Sequence, residues 1–261
     1  MKIDRVIIST TSHKKYLDVW PIVSKSWQNL GVVPTVIYTS NKKIKFDPQY
    51  EVLNLNIKEI DPIFAAQNSR LLVPSLFPND VCILSDLDIM PLSKKYFFDT
   101  IKEFDSDDFV IYRPDACPPN MLALCFNAAV GKTWSELFEV SSYSDIKEQL
   151  LKWYPKDYIP YKKGWYFDQM ILREKVEKFR MKFPNRVKTL SDKDTKFNRL
   201  NRNSLKSDLN KYLFLEEYFT DFHMPRPYKF HKRKIKKVYN KAFNENKWKI
   251  IKLNKIQKNY K

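Results

Sequence analysis

Two carboxylates two residues apart, Asp86 and Asp88, end an apolar run that begins Val81-Cys82-Ile83-Leu84, and Pro91 follows. Residues i and i+2 lie on one face of an extended chain, so both carboxylates can enter the same space. In an open α/β sheet that space is at the C-terminal end of the strand, where ligands bind. Like charges so close are costly unless a proton or a cation lies between them. A hard divalent ion, Mg²⁺ or Mn²⁺, suits two carboxylates and keeps open positions for phosphate oxygens.

Four further segments carry residue types that could join such a site. They are Gln67-Asn68-Ser69-Arg70-Leu71-Leu72, Phe126-Asn127-Ala128-Ala129-Val130-Gly131, Trp165-Tyr166-Phe167-Asp168-Gln169, and Asp221-Phe222-His223-Met224-Pro225-Arg226-Pro227-Tyr228-Lys229. The chain has three glycines, Gly31, Gly131 and Gly164, so neither GxGxxG nor GxxxxGK[ST] can be written. Bound phosphates would therefore depend on a metal and on basic side chains. Cys82, Cys117 and Cys125 are odd in number and form no CxxC pair, which argues against a disulfide framework or a zinc site and for a reducing compartment. The start of the chain is too short of apolar residues for a signal peptide, and no run of about 18 apolar residues occurs. A soluble or peripheral protein is expected.

The elements that would position these residues alternate between strand and helix. Val6–Ser9, Thr35–Tyr38, Val81–Ser85 and Phe109–Tyr112 read as strands, with a polar Thr10-Thr11-Ser12-His13 loop after the first. Leu17, Trp20, Val23 and Trp27 recur at helical spacing, which predicts one helix over Tyr16–Asn29. Further helices are predicted over Ala65–Leu76, with Gln67 and Arg70 near one face, around Phe97–Ile101, over Thr133–Val140, and over Asp168–Phe179 with Asp168 as N-cap. Met121–Val130 is an apolar stretch with Asn127 embedded. Trp153–Tyr166 reads as a long aromatic loop or lid, and Lys193–Asp208 as a polar surface excursion. This alternation argues for an α/β fold with a mainly parallel central sheet.

In order and spacing the acidic pair and its four partner segments resemble the GT-A-fold glycosyltransferases, particularly glycosyltransferase family 8, the lipooligosaccharide galactosyltransferases and glycogenin-like enzymes. The resemblance runs from Val6 to Lys229. Three positions depart from the family pattern: Ala129 stands for a glycine, Pro225-Arg226 replaces the glycine region after His223, and no Pro-Trp follows Lys229. What the resemblance implies is a metal-dependent, retaining transferase moving a sugar from a nucleotide-sugar donor, UDP-linked, to a glycan or glycolipid acceptor. On that template Asp86, Asp88 and His223 would hold Mn²⁺ or Mg²⁺. Arg70, Arg226 and Lys229 would contact the donor, Ser9, Thr10 and Thr11 its base and ribose, and Asn127 its sugar hydroxyls. Asp168 and Gln169 would face the reacting carbon, whose transition state is oxocarbenium-like. Were Asp168 instead on the acceptor side, it could serve as general base for inversion.

Plainer roles are open to most of these residues. Asp168 could simply cap its helix, Asn127 could be a buried structural amide, and Arg70 could be an ordinary helix ion-pair residue. Arg226 and Lys229 could be solvated members of a basic tail, and Trp153, Trp165 and Tyr166 could be core rather than lid. The net charge is +17, and the 33 residues from Lys229 onward hold 13 Lys/Arg against one acid, Glu245. A catalytic domain over 1–230 and a basic amphipathic tail over 231–261 are expected. The tail's stripe of Ile235, Val238, Tyr239, Ala242 and Phe243, continued by Trp248 to Leu253, suits either a membrane surface or packing on the domain. A cytoplasmic enzyme, peripheral at the inner membrane face, would use the former. Two other classes compete: a haloacid-dehalogenase-type phosphohydrolase using Asp86 and Asp88, and a nucleic-acid binder using the lysines, a partner that leaves the acidic pair unused.

Overall fold

The computed structural model describes residues 1–205 and 215–243. Seven strands form one sheet: β1 Arg5–Thr10, β2 Val33–Tyr38, β3 Glu51–Asn54, β4 Val81–Leu84, β6 Phe109–Tyr112, β7 Asn127–Val130 and β8 Val187–Leu190. Their order is β3-β2-β1-β4-β7-β6-β8, parallel throughout except for β7, which runs antiparallel to both neighbours. β5 Ile89–Pro91, β9 Arg199–Leu200 and β10 Asp221–His223 make a second, three-stranded sheet in the order β5-β10-β9.

The strands are apolar on both faces because helices cover both. Val6, Ile8, Val36 and Ile83 point into one core with Trp27, Phe97 and Phe126. Ile7, Ile37, Cys82 and Leu84 point into the other with Phe64, Leu71, Leu72 and Trp134. This is the period-2 alternation of a pleated strand buried on each side. Gly131 lies where the Gly131–Phe138 helix meets the chain before β4; a Cβ there would come 2.1 Å from the Phe77 carbonyl oxygen. Only glycine fits so close to backbone.

The predicted helix over Tyr16–Asn29 is two, Lys14–Leu17 and Trp20–Leu30, with Pro21 in the first turn of the second. Proline lacks the N–H that an unbroken helix would need there and suits a helix start instead. Gly31, at φ 86°, ends it. The second predicted helix begins earlier, at Pro62, capped by the Asp61 carboxylate accepting from the Ile63 N–H at 2.7 Å, and ends at Leu72. Val73–Leu76 continues as a tighter 3₁₀ turn containing Pro74. Trp153 closes a helix, Tyr143–Trp153, which the loop expectation did not include; residues 154–166 are turns and irregular chain. The surface excursion contains a short helix, Asp192–Thr195, and β9, and its residues 206–208 lie outside the described part.

The helix Tyr228–Phe243 runs across the expected boundary at 230/231. Ile235 and Val238 are fully buried in the domain core, and the Asn29 side-chain amide donates to the Tyr239 hydroxyl at 2.8 Å. The packed alternative therefore describes this part of the tail, with Lys232, Arg233, Lys234, Lys236 and Lys237 facing outward. The stretch Trp248 to Leu253 lies outside the described residues. No described helix is long and apolar enough to cross a membrane.

Candidate active site

Beyond β4 the chain must turn from the large sheet into the small one, and the acidic pair occupies that turn. The Ser85 N–H still bonds the Ile7 carbonyl at 3.2 Å, extending the parallel ladder, and the Ile89 N–H returns to the Asp86 carbonyl at 3.1 Å. β5 then pairs antiparallel with β10, placing His223 opposite Ile89, and the Met224 N–H bonds the Asp88 carbonyl at 2.9 Å. This register brings His223 beside Asp88 although 135 residues separate them. Arg199 fixes β10 from the other side by forking onto the fully buried Asp221 at 2.7 and 2.6 Å.

A cleft of about 390 Å³ opens over this turn. Of the residues singled out from sequence, Ser9, Thr10, Thr11, Arg70, Asp86, Asp88, Asp168, Gln169, His223 and Arg226 all line it. Asn127 and Lys229 do not line it. The Asn127 side chain is fully buried and donates to the Ala123 and Leu124 carbonyls at 2.6 and 2.9 Å, which shapes the loop bearing Cys125. Its structural role is the one the fold uses. Lys229 is exposed, its ammonium 4.7 Å from the centre of the Phe230 ring.

Arg70 is the hub of one wall. From the Pro62–Leu72 helix its guanidinium pairs with both Asp86 and Asp168, the latter at 3.4 Å, and with the Ser85 carbonyl at 3.4 Å. Asp168 is not the N-cap of its helix. Phe167–Lys182 is capped at Tyr166, and Asp168 sits buried in the first turn, accepting from the Gln169 N–H at 2.9 Å. Burial pushes its carboxyl up to about 6, against the opposing pull of Arg70. The Gln169 side-chain carbonyl accepts from the Cys117 thiol at 3.3 Å, and Gln67 ties the wall to the Trp165 carbonyl at 3.1 Å.

The opposite wall is cationic. Asp88 Oδ2 lies 3.2 Å from His223 Nε2, 3.3 Å from Arg226 Nε and 3.2 Å from Arg202 Nη2. Burial alone would raise the Asp88 carboxyl; the His223 hydrogen bond and the Arg226 and Arg202 charges hold it below the ordinary carboxylate range. Arg226 also bonds the Tyr16 hydroxyl. Asp86 is more open, at 40% side-chain exposure, with one carboxylate oxygen on Arg70 and the other accepting from the Cys125 thiol at 3.4 Å. A phosphohydrolase would need Asp86 as an unencumbered nucleophile, and the Arg70 pairing opposes that.

The donor set fits a hard dication at Asp88 and His223: an anionic oxygen and an imidazole nitrogen converge on one point, and the guanidinium of Arg202 already touches both. Asp86 borders the same cleft. Among the described residues, the group of three that brings its ligand atoms within 4.8 Å of one another is a different one, Asp105, Asp107 and Asp108. That turn precedes β6, which is parallel to β4, so it lies at the opposite end of the strands from the cleft. Two of its three carboxylates are engaged by cations, Asp107 by Arg186 at 3.0 Å and Asp108 by Lys188 at 3.7 Å. Trp165, one of the lid-or-core aromatics, lines the cleft, and Arg202, Cys125, Tyr16 and Tyr161 also belong to the cleft region, although nothing in the sequence singled them out. The Tyr161 and Trp165 rings lie 4.4 Å apart centre to centre, tilted by 31°, and both line the cleft.

No protein-family model and no curated protein sequence matches the chain. Among solved structures it is similar to the glycosyltransferase GlyE of Streptococcus pneumoniae TIGR4, with a TM-score of 0.51 and 13% identity over 99% of this chain and 64% of that one. The apo form of GlyE gives 0.50 and 13% over 95% and 64%. A glycosyltransferase involved in glycosylation of the major capsid of PBCV-1 is more distant, at 0.46 and 9% over 89% and 99%. The chain thus spans less than two-thirds of the GlyE length. At such identities the likeness is one of architecture, and that architecture is the GT-A fold.

Proposed function

We propose that this protein is a metal-dependent glycosyltransferase that moves a sugar from a nucleotide-sugar donor to a hydroxyl of a glycan or glycolipid acceptor, with retention of configuration. One observation carries the reading. Four segments distant in sequence deliver Asp86, Asp88, Arg70, Asp168, His223 and Arg226 to a single cleft at the C-terminal end of β4. The family 8 resemblance points to a UDP-linked donor.

Asp88 and His223, with Asp86 at the border, would hold Mn²⁺ or Mg²⁺. When bound, that ion supplies Lewis-acid neutralisation of the charge that grows on the leaving diphosphate. Arg226 is fixed by Asp88 and Tyr16 as a further donor to the same phosphates. Ser9 and Thr10 end β1 and Thr11 follows it, on the side of the cleft where base and ribose would lie. The Asp168 carboxylate and the Gln169 amide offer negative and dipolar partners to a sugar ring that gains positive charge as its C1–O bond breaks. Arg70 positions Asp168 and Asp86 against each other, so their mutual repulsion does not open the wall.

A panel of nucleotide sugars, scored by nucleoside diphosphate release with Mn²⁺ and again with excess chelator, tests this reading. Release from at least one donor, abolished by chelator and restored by added Mn²⁺, is the expected result. Release from none of the panel would reject it.

A further inference from the structure

Arg202 has no place in the proposed reaction, yet it reaches the centre of the site. It belongs to the polar turn after β9, and its side chain is 24% exposed. Its guanidinium lies 3.2 Å from Asp88 Oδ2 and against His223 Nε2. Those two atoms are themselves 3.2 Å apart. His223 Nε2 can meet Asp88 only as a proton donor and Arg202 only as an acceptor, so the two contacts belong to different tautomers, and the one that faces Arg202 is the one that offers the lone pair a metal would need. Both atoms that would bind a dication are therefore already bound to a cation. Arg226 reaches Asp88 Oδ2 alone, whereas the Arg202 guanidinium spans both ligand atoms and so stands where a divalent ion between them would sit, with a charge of the same sign.

We infer that Arg202 is an internal competitor of the divalent cation. It occupies the Asp88–His223 pair in the donor-free protein, is displaced when the ion binds, and then serves the donor's diphosphate beside Arg226. This inference rests on the metal reading of the preceding subsection. It makes metal and nucleoside diphosphate binding cooperative: the ion alone must break the Arg202 contacts, whereas the diphosphate gives the released guanidinium a new anionic partner.

The test measures Mn²⁺ binding alone by the electron paramagnetic resonance of the free ion, and UDP binding at saturating Mn²⁺ by calorimetry. Wild type, Arg202→Gln, Arg202→Lys and Asp88→Asn are compared. Arg202→Gln is expected to bind Mn²⁺ alone about tenfold more tightly and UDP about tenfold more weakly, within the usual range for two coupled sites. Arg202→Lys keeps the charge without the fork and should fall between. Opposite signs are the diagnostic feature, since damage to the fold would weaken both. Unchanged or weaker Mn²⁺ binding by Arg202→Gln, with binding abolished in Asp88→Asn, overturns the competition. Tighter Mn²⁺ binding with unchanged UDP affinity overturns the hand-over to diphosphate. Mn²⁺ binding that survives Asp88→Asn rejects the metal reading itself.

Discussion

Replacing Asp88 by asparagine is expected to lower turnover of the nucleotide sugar about 10³-fold, or ~4 kcal/mol of transition-state stabilisation. The amide keeps the shape of the side chain but neither the charge that would hold the ion nor the one that positions Arg226. The fold should persist, because the backbone around Asp88 is secured by the β5–β10 ladder and the Met224 N–H bond to the Asp88 carbonyl. Stability should fall by about 1–3 kcal/mol at neutral pH, since Arg202, Arg226 and His223 lose a charged acceptor. The depressed Asp88 carboxyl fixes the sign with pH. Its stabilising effect is present above the unfolded carboxylate pKa and disappears as pH falls through the lower folded value, so wild type and variant should converge in acid. Steady-state kinetics and thermal melts check both parts. Mn²⁺-dependent turnover within tenfold of wild type would contradict the assigned role.

The largest effect on stability is expected at Arg70. Its guanidinium is nearly buried and is the charge partner of both Asp86 and the fully enclosed Asp168. Arg70→Met should destabilise the protein by about 3–5 kcal/mol at pH 7.5, because it leaves a carboxylate buried without compensation. The pH dependence is opposite to that at Asp88. A buried acid with a raised pKa favours the folded state when protonated, so its contribution is lost as pH rises through about 6. Without Arg70 that loss extends to higher pH, and the deficit of the variant should be clearly smaller at pH 5 than at pH 7.5. Adding Asp168→Asn removes the orphaned charge and should restore about 1–3 kcal/mol of the loss. Denaturant midpoints of the two single variants and the double variant at both pH values test this. A deficit that neither varies with pH nor shrinks in the double variant would show that Arg70 acts through packing alone.

The parts of this architecture legible in the sequence are those governed by local rules. Val81–Leu84 is apolar because both faces of β4 are covered, and the carboxylates mark the point where the chain leaves the core. Asp168 was legible as a residue of a helix start but not as a buried one, since its burial depends on Arg70, which packs beside it from the Pro62–Leu72 helix. The Tyr143–Trp153 helix left a signal that could have been used: Ser142 and Asp145 form a capping box, and Ile146 and Leu150 recur four residues apart as its buried face. β5, β9 and β10 are two or three residues long, too short for any periodicity. They exist only because pairing with one another buries Met90, Leu200 and Phe222. Arg202 was invisible for the same reason. Its segment is polar and unpatterned, and its proximity to Asp88 follows from the β9–β10–β5 pairing rather than from spacing. Asn127 was legible as a polar residue embedded in the apolar stretch Met121–Val130, whose last four residues form β7, but the direction of its side chain depends on the carbonyls of Ala123 and Leu124, which no sequence pattern announces.

The central claim is that a divalent ion sits between Asp88 and His223 at the C-terminal end of β4. Anomalous diffraction from crystals grown with Mn²⁺ and UDP tests it most directly. The account predicts a manganese peak coordinated by Asp88 and His223, with diphosphate oxygens completing its shell and Arg202 withdrawn from the pair. A peak at Asp105, Asp107 and Asp108 with none at Asp88, or UDP bound in the cleft with Arg202 still seated on Asp88 and His223, would contradict it.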